Sequence, residues 1–212
     1  MDLNQAIRKY SSQPLTHQLL TSLLHGYKRP NDKIYSLLKE GVIIPIKKGV
    51  YIAGLNLEGG QPEPILLANH ILGPSYVSMD TALSYHGLIP ERVYEISSAT
   101  IKASRKFKTP IGFYSYTRLS LPYYSLGIQW TKLADDQYAM IASPEKALFD
   151  KVVTTAGIVI RSIKNASDYL LDDLRMDEDN LSGLNIDMMM SWLSYVPKKD
   201  SLKMIIKAIE RL

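Results

Sequence analysis

The sequence contains no cysteine. That excludes a disulfide framework, a thiolate zinc site and a thiol nucleophile, and it suits a reducing compartment. Long apolar runs are missing too. No stretch approaches the roughly 18 residues needed to cross a bilayer, and Met1-Asp2-Leu3-Asn4 lacks the basic start and apolar core of an export signal. A cytoplasmic protein without a membrane partner is therefore expected. The four histidines, His17, His25, His70 and His86, show no metal-ligand spacing. No Gly-x-Gly-x-x-Gly or Gly-Lys-Ser/Thr loop occurs, so nucleotide hydrolysis has no visible support. The acidic run Asp172, Asp173, Asp177, Glu178, Asp179 lacks the central glycine of a calcium loop, with Leu181 where a ligand is needed, and reads as a solvated helix end. Ser143-Pro144-Glu145-Lys146 fits the Ser-x-x-Lys pattern of serine acylases, but the companion Ser-Asp-Asn and Lys-Thr-Gly elements are absent. A serine before a proline is well explained as a helix cap. No metal, no cofactor and no enzymatic activity are expected.

What the chain does have is positive charge in one place. Its 212 residues are 46% hydrophobic and 22% charged, ordinary for a globular protein, with a net charge of +4. Residues 1–57 carry a net +5, residues 58–130 a net +1 and residues 131–212 a net −2. The excess lies where a polyanion would be met. In the same segment Pro30 to Lys39 has helical periodicity. Ile34, Leu37 and Leu38 fall on one side, while Arg29, Asp32, Lys33, Ser36 and Lys39 fall on the other, where they can touch phosphates and base edges. Gly41 ends the helix as a left-handed cap. Val42 to Ile46 and Val50 to Ile52 are β-branched runs joined at Lys47-Lys48-Gly49, a ribbon with two ammonium groups at its tip. Upstream, Asp2 to Tyr10 forms a short helix. A second helix, capped by Thr16 and ended by Gly26, offers Leu19, Leu20, Leu23 and Leu24 to cover the apolar face of the third. Helix, helix, turn, helix, ribbon is the order of a winged helix-turn-helix, in which the third helix enters the major groove. Lys28, Arg29, Lys33, Ser36 and Lys39 are the candidate groove contacts, with Lys47 and Lys48 on flanking phosphates.

The expected organisation is α+β. A winged helix-turn-helix DNA-binding domain spans 1–54, a linker rich in glycine and proline spans 55–64, and a mixed domain with helices at its C-terminal end spans 65–212. Val93 to Thr100, Ile111 to Thr117, Leu126 to Trp130 and Tyr138 to Ala142 read as four strands of a small, mostly antiparallel sheet. Ser78 caps a helix over Met79 to His86, Ser143 caps another, and Ser167 caps a third that runs through Arg175. Asp187 to Leu193 and Ser201 to Leu212 are further helices. Between the first two strands, Lys102 to Lys108 reads as a basic hairpin-like loop. Its Lys102, Arg105, Lys106 and Lys108 fit a second phosphate contact, a patch for an acidic partner, or a solvated loop tip.

Two stretches, Tyr76-Val77-Ser78-Met79-Asp80-Thr81-Ala82-Leu83-Ser84-Tyr85-His86-Gly87-Leu88-Ile89-Pro90-Glu91 and Ile141-Ala142-Ser143-Pro144-Glu145-Lys146-Ala147-Leu148-Phe149-Asp150, resemble signature segments of AbiEi-like antitoxins of type IV toxin-antitoxin systems. Lys48-Gly49-Val50-Tyr51 shares the likeness, which extends from about residue 10 to about residue 155. The resemblance implies an N-terminal winged helix that binds double-stranded DNA at its own operator and represses its operon. It also implies a C-terminal domain that counteracts a cognate nucleotidyltransferase-like toxin, and it carries no catalytic residue. Winged helices often act in pairs on inverted repeats, so a homodimer on DNA fits this reading, although no heptad seam is visible. The alternative from a different class is a winged-helix protein-interaction module that binds no DNA.

Overall fold

The computed structural model describes residues 3–134 and 136–212. The chain is mixed α+β and contains a three-stranded and a six-stranded sheet among the described residues. It opens with α1 (Leu3–Lys9), β1 (Leu15–Thr16), α2 (His17–Leu23), α3 (Pro30–Lys39), β2 (Ile43–Lys47) and β3 (Val50–Ala53). The expected start of the first helix at Asp2 lies outside the described residues. Local chemistry sets these boundaries. Thr16 accepts a hydrogen bond from the Leu19 amide at 3.1 Å to start α2, Pro30 occupies the first turn of α3, and Gly41 takes the left-handed conformation (φ 70°) that turns the chain into β2. β1, β3 and β2 pair antiparallel in that order. Ile7, Leu15, Leu20, Leu24, Ile34, Leu37, Ile43 and Ala53 form a core of their own.

The stretch expected to be a linker is pinned at both ends. Gly54 crosses so close to α3's exit that a Cβ would stand 2.1 Å from the Gly41 carbonyl, a position only glycine can occupy. Gln137 closes the other end: its side chain donates to the Gln61 carbonyl at 3.1 Å and accepts from the Glu63 amide at 2.7 Å. Ile46, Val50 and Ile52 of the ribbon belong to the large core of the following part rather than to the small one.

The six-stranded sheet holds β4 (Ser75–Val77), β5 (Glu95–Thr100), β6 (Arg105–Thr109), β7 (Gly112–Arg118), β8 (Ile128–Lys132) and β9 (Tyr138–Ala142) in the order β6-β7-β5-β4-β9-β8. All four expected strands are present within a few residues of their expected bounds. Two more join them: β4, too short to stand out, and β6, which replaces the expected basic loop. Three strand pairs are antiparallel and two, β5 with β7 and β4 with β9, are parallel. α4 (Pro64–Ile71) lies on the face carrying Tyr116, whose hydroxyl donates to the Ala68 carbonyl at 2.6 Å. α5 (Met79–Tyr85) and α6 (Pro144–Thr154) lie on the opposite side, α5 against β5 and α6 tied to Tyr76.

The C-terminal part comprises α7 (Ile163–Ser167), which runs into a π-helical turn at Asp168–Asp173, then α8 (Glu178–Ser182), α9 (Ile186–Trp192) and α10 (Lys199–Ile209). Ser162, not Ser167, caps this segment: its hydroxyl accepts from the Asn165 amide, while that of Ser167 donates back to the Ile163 carbonyl. Asp177 in the acidic run caps α8. Buried Glu145 fastens α9 by accepting from the Asn185 amide at 3.0 Å, and Ser201 fastens α10 by accepting from the Ile160 amide. Among the described residues no helix is long and apolar enough to cross a membrane.

Candidate nucleic-acid interface

α3 buries Ile34 and Leu37 and turns its other side outward. Lys28, Arg29, Asn31, Asp32 and Lys39 are exposed, and Lys33 and Ser36 are half-exposed. Three of these groups are engaged locally. Arg29 pairs with Asp32 across one turn at 3.7 Å, and the Ser36 hydroxyl donates to the Glu40 carboxylate one turn further on. Both contacts are solvent-exposed and cost little to exchange for another partner. The face also holds Tyr35, 72% exposed, and Tyr27, 46% exposed, lies in the turn before α3. Neither tyrosine carries a charge, so the charge pattern that marks the lysines does not mark them. The signal was available: Tyr35 stands three residues after Asp32 and four before Lys39, which places all three on one helical stripe.

The two ribbon lysines part company. Lys48 is exposed at the turn. Lys47 lies at the end of β2 and its ammonium is held inside, donating to the Ile71 carbonyl at the end of α4 at 2.6 Å and lying 6.0 Å from the Phe107 ring. The tip thus presents one ammonium group outward instead of the expected two. Lys47 serves instead to fasten the ribbon to the sheet beneath it.

The four basic residues expected on one loop are likewise divided, because β6 is a strand and its side chains alternate. Arg105 and Phe107 stand on the face of Tyr116 and Tyr114, their register partners, beside α4 and Lys47. Lys106 and Lys108 stand on the other face with Ser115 and Phe113. Lys102 folds back to the Gly73 carbonyl after α4. Lys106 pairs with Glu95 at 3.5 Å.

Beneath these surfaces lies a closed polar cluster that the sequence pattern does not reveal. Lys146 and Asp150, one turn apart on α6, pair at 2.9 Å with both side chains fully buried. Asp150 also accepts from the hydroxyls of Tyr123 (2.6 Å), Ser78 (2.7 Å) and Tyr76 (2.9 Å). Lys146 donates to the Tyr123 carbonyl at 2.9 Å and lies over the Tyr123 ring. Ser78 occupies the cap position of α5, but its hydroxyl serves Asp150 rather than the helix. Burial pushes the Lys146 ammonium below its usual range, opposed by the Asp150 charge. Burial and then Asp150 raise the Tyr76 and Tyr123 phenols far above theirs. Ser143 accepts from the Lys146 amide at 3.2 Å as the cap of α6. The Lys146 ammonium is thus committed to Asp150 and the Tyr123 carbonyl, so the Ser-x-x-Lys spacing has a structural explanation. The cluster joins the two stretches that carry the antitoxin resemblance, Tyr76 and Ser78 from one and Lys146 and Asp150 from the other. Compared with protein-family models and with curated proteins, the chain matches none.

Proposed function

We propose that the chain is a DNA-binding transcriptional repressor of its own operon and an antitoxin that counteracts a nucleotidyltransferase-like toxin, with residues 1–54 acting as a winged helix-turn-helix. The observation that carries the DNA-binding half is α3, whose outward stripe offers Asn31, Tyr35 and Lys39, with Lys28 and Arg29 exposed just before it and Lys48 exposed at the ribbon turn. Such a stripe supplies cations for phosphates and an amide and a phenol for base edges. Arg105 lies on the ribbon's side of the sheet and adds a further cation there. The antitoxin half rests on the resemblance at residues 76–91 and 141–150. In this reading those segments meet at Asp150 and hold the fold together there.

A mobility-shift titration with the duplex immediately upstream of the gene tests the first half. With about five cations on phosphates, log K should fall with log salt at a slope near −4.5. No shift at low salt would remove the repressor reading. Co-expression with the nucleotidyltransferase-like product of an adjacent gene tests the second: growth must be restored by this chain. A second reading, an interaction module that binds no DNA, is favoured by the pairing of Arg29 with Asp32 and of Ser36 with Glu40 around an exposed Tyr35. It requires the shift to be absent.

A further inference from the structure

The six-stranded sheet has a second surface, turned away from α4 and the ribbon. α5 packs over β5 there, but the β7 and β6 portion is open: Phe113 is 51% exposed and Lys106 and Lys108 are exposed. Register fixes the layout. One row across the strands reads Glu95, Phe113, Lys108, and the next reads Ser97, Ser115, Lys106. The Lys108 ammonium lies 5.9 Å from the Phe113 ring, and in the chain just before β5 the Arg92 guanidinium lies 5.7 Å from the ring of Tyr94, which is 79% exposed. The rows run into a cleft of about 290 Å³ walled by Asp80, Glu95, Ser97, Ser115, Lys151 and Thr154.

Several donors of this cleft are already engaged. Ser97 donates its hydroxyl proton to the Ser78 carbonyl at 2.7 Å and Thr154 donates to the Asp150 carbonyl at 2.7 Å. The Lys151 ammonium is held by both oxygens of Asp80, at 2.7 and 2.8 Å, and Lys106 reaches one oxygen of Glu95 at 3.5 Å in a solvent-exposed pair that exchanges readily. What remains for a ligand is chiefly acceptor capacity, the second oxygen of Glu95 and the remaining lone pairs of Asp80, beside the Ser115 hydroxyl, so the cleft favours N–H and O–H donors. The neighbouring row recognises a flat ring and an anion. Base face, phosphate, and base-edge or sugar donors occur together in a nucleotide, and a base face is free to stack only outside a duplex.

We propose that this face binds single-stranded nucleic acid, with a base stacked on Phe113, phosphates at Lys106 and Lys108, and donors of a neighbouring nucleotide in the cleft at Asp80 and Glu95. This surface and the ribbon lie on opposite sides of one sheet, so the two can be tested apart, and the inference does not depend on operator binding.

The test is fluorescence anisotropy of the full chain with labelled single strands of about 10 nucleotides, RNA and DNA, at low salt. Phe113→Ala should weaken binding about tenfold, in keeping with ~1.4 kcal/mol for one stacked base, and Phe113→Trp should restore it. The Lys106→Glu/Lys108→Glu double variant should weaken binding and flatten its salt dependence by about 0.7 for each phosphate left without its cation, while Lys48→Glu should leave it unchanged. The altered side chains are exposed, and unaltered thermal unfolding will establish that each variant is folded. Absence of single-strand binding overturns the proposal, as does Phe113→Ala binding like the unaltered chain. A weakening by Lys48→Glu equal to that of the double variant would assign the binding to the ribbon and also overturn it.

Discussion

Asp150 accepts from three hydroxyls and an ammonium in a site with no access to water. Taking its charge away leaves Lys146 buried without a counter-ion and three hydroxyls without their acceptor. Asp150→Leu is therefore expected to cost about 3 to 5 kcal/mol, measured as a lower denaturant midpoint. Adding Lys146→Met should recover a large part of that loss, because an apolar pair of similar volume avoids the desolvation that the ion pair suffers. It should not recover all of it, since the hydroxyls of Tyr76, Ser78 and Tyr123 stay unsatisfied. A double variant no more stable than the single one would mean that the ion pair is not what the site is built around. The same cluster sets an alkaline limit. Tyr76 and Tyr123 keep their protons in the folded chain well above 10.0, the value they take when exposed. Their contribution is complete below that pH and is lost as pH rises through the folded values, by up to ~1.4 kcal/mol per pH unit for each phenol. Lys146 acts with the opposite sign, since its folded pKa is lowered, but its effect ends once the unfolded lysine has also lost its proton near 10.5. Denaturant midpoints should therefore fall above about pH 10.5, and less steeply in Tyr76→Phe.

At the scale of elements, the division of basic residues between faces makes the clearest forecast. Lys48→Glu should weaken duplex binding of every sequence alike, whereas Tyr35→Ala or Asn31→Ala should change the preference among duplexes, because only the α3 stripe reaches base edges in the proposed complex. Competition binding with two unrelated duplexes separates the two effects, and uniform weakening by all three variants would place α3 outside the groove. Element boundaries governed by neighbours in the chain were legible in the sequence. Thr16, Pro30, Gly41 and Ser143 each act within four residues of the end they define, so their chemistry is written locally. Elements governed by distant partners were not. β6 reads Arg-Lys-Phe-Lys-Thr, with a single large apolar side chain, because only its α4-side face packs while the other is open to solvent, and what makes it a strand is β7 beside it. Ser78 looks like an ordinary cap, and only the approach of Asp150, 72 residues away, redirects its hydroxyl. Lys146 and Asp150 have the spacing of an exposed helical ion pair, and nothing nearby in sequence reveals that Tyr76 and Tyr123 will close over them. For the candidate interface the consequence is specific: the basic positions were found, but the turning inward of Lys47 and the splitting of Arg105 from Lys106 and Lys108 depend on contacts with α4 and β7.

At the scale of the molecule, the ribbon joins parts that look separable in sequence. Ile46, Val50 and Ile52 insert into the large core, Lys47 holds the end of α4, and Gln137 clasps Gln61 and Glu63. Burying three aliphatic side chains is worth on the order of 5 kcal/mol, comparable to the whole stability of a small domain. The first 54 residues should therefore unfold together with the rest rather than as an independent unit. Amide hydrogen exchange in α2 and α3 is expected to report the same opening free energy as the denaturant transition followed through Trp192 in the large core. Ile52→Ala should lower both by a similar amount, about 2 to 4 kcal/mol. If α2 and α3 open well before the Trp192 transition, the ribbon is a hinge rather than a clamp. The mechanical consequence bears on repression: a clamped ribbon fixes the angle between α3 and the large sheet, so duplex held on one side of the sheet and single strand held on the other would keep a constant relative orientation. Lys47→Ala removes one fastening of the clamp without touching the exposed Lys48. It should loosen protection in β2 and β3 while leaving the salt slope of duplex binding unchanged, and a changed slope would return Lys47 to the phosphate contacts.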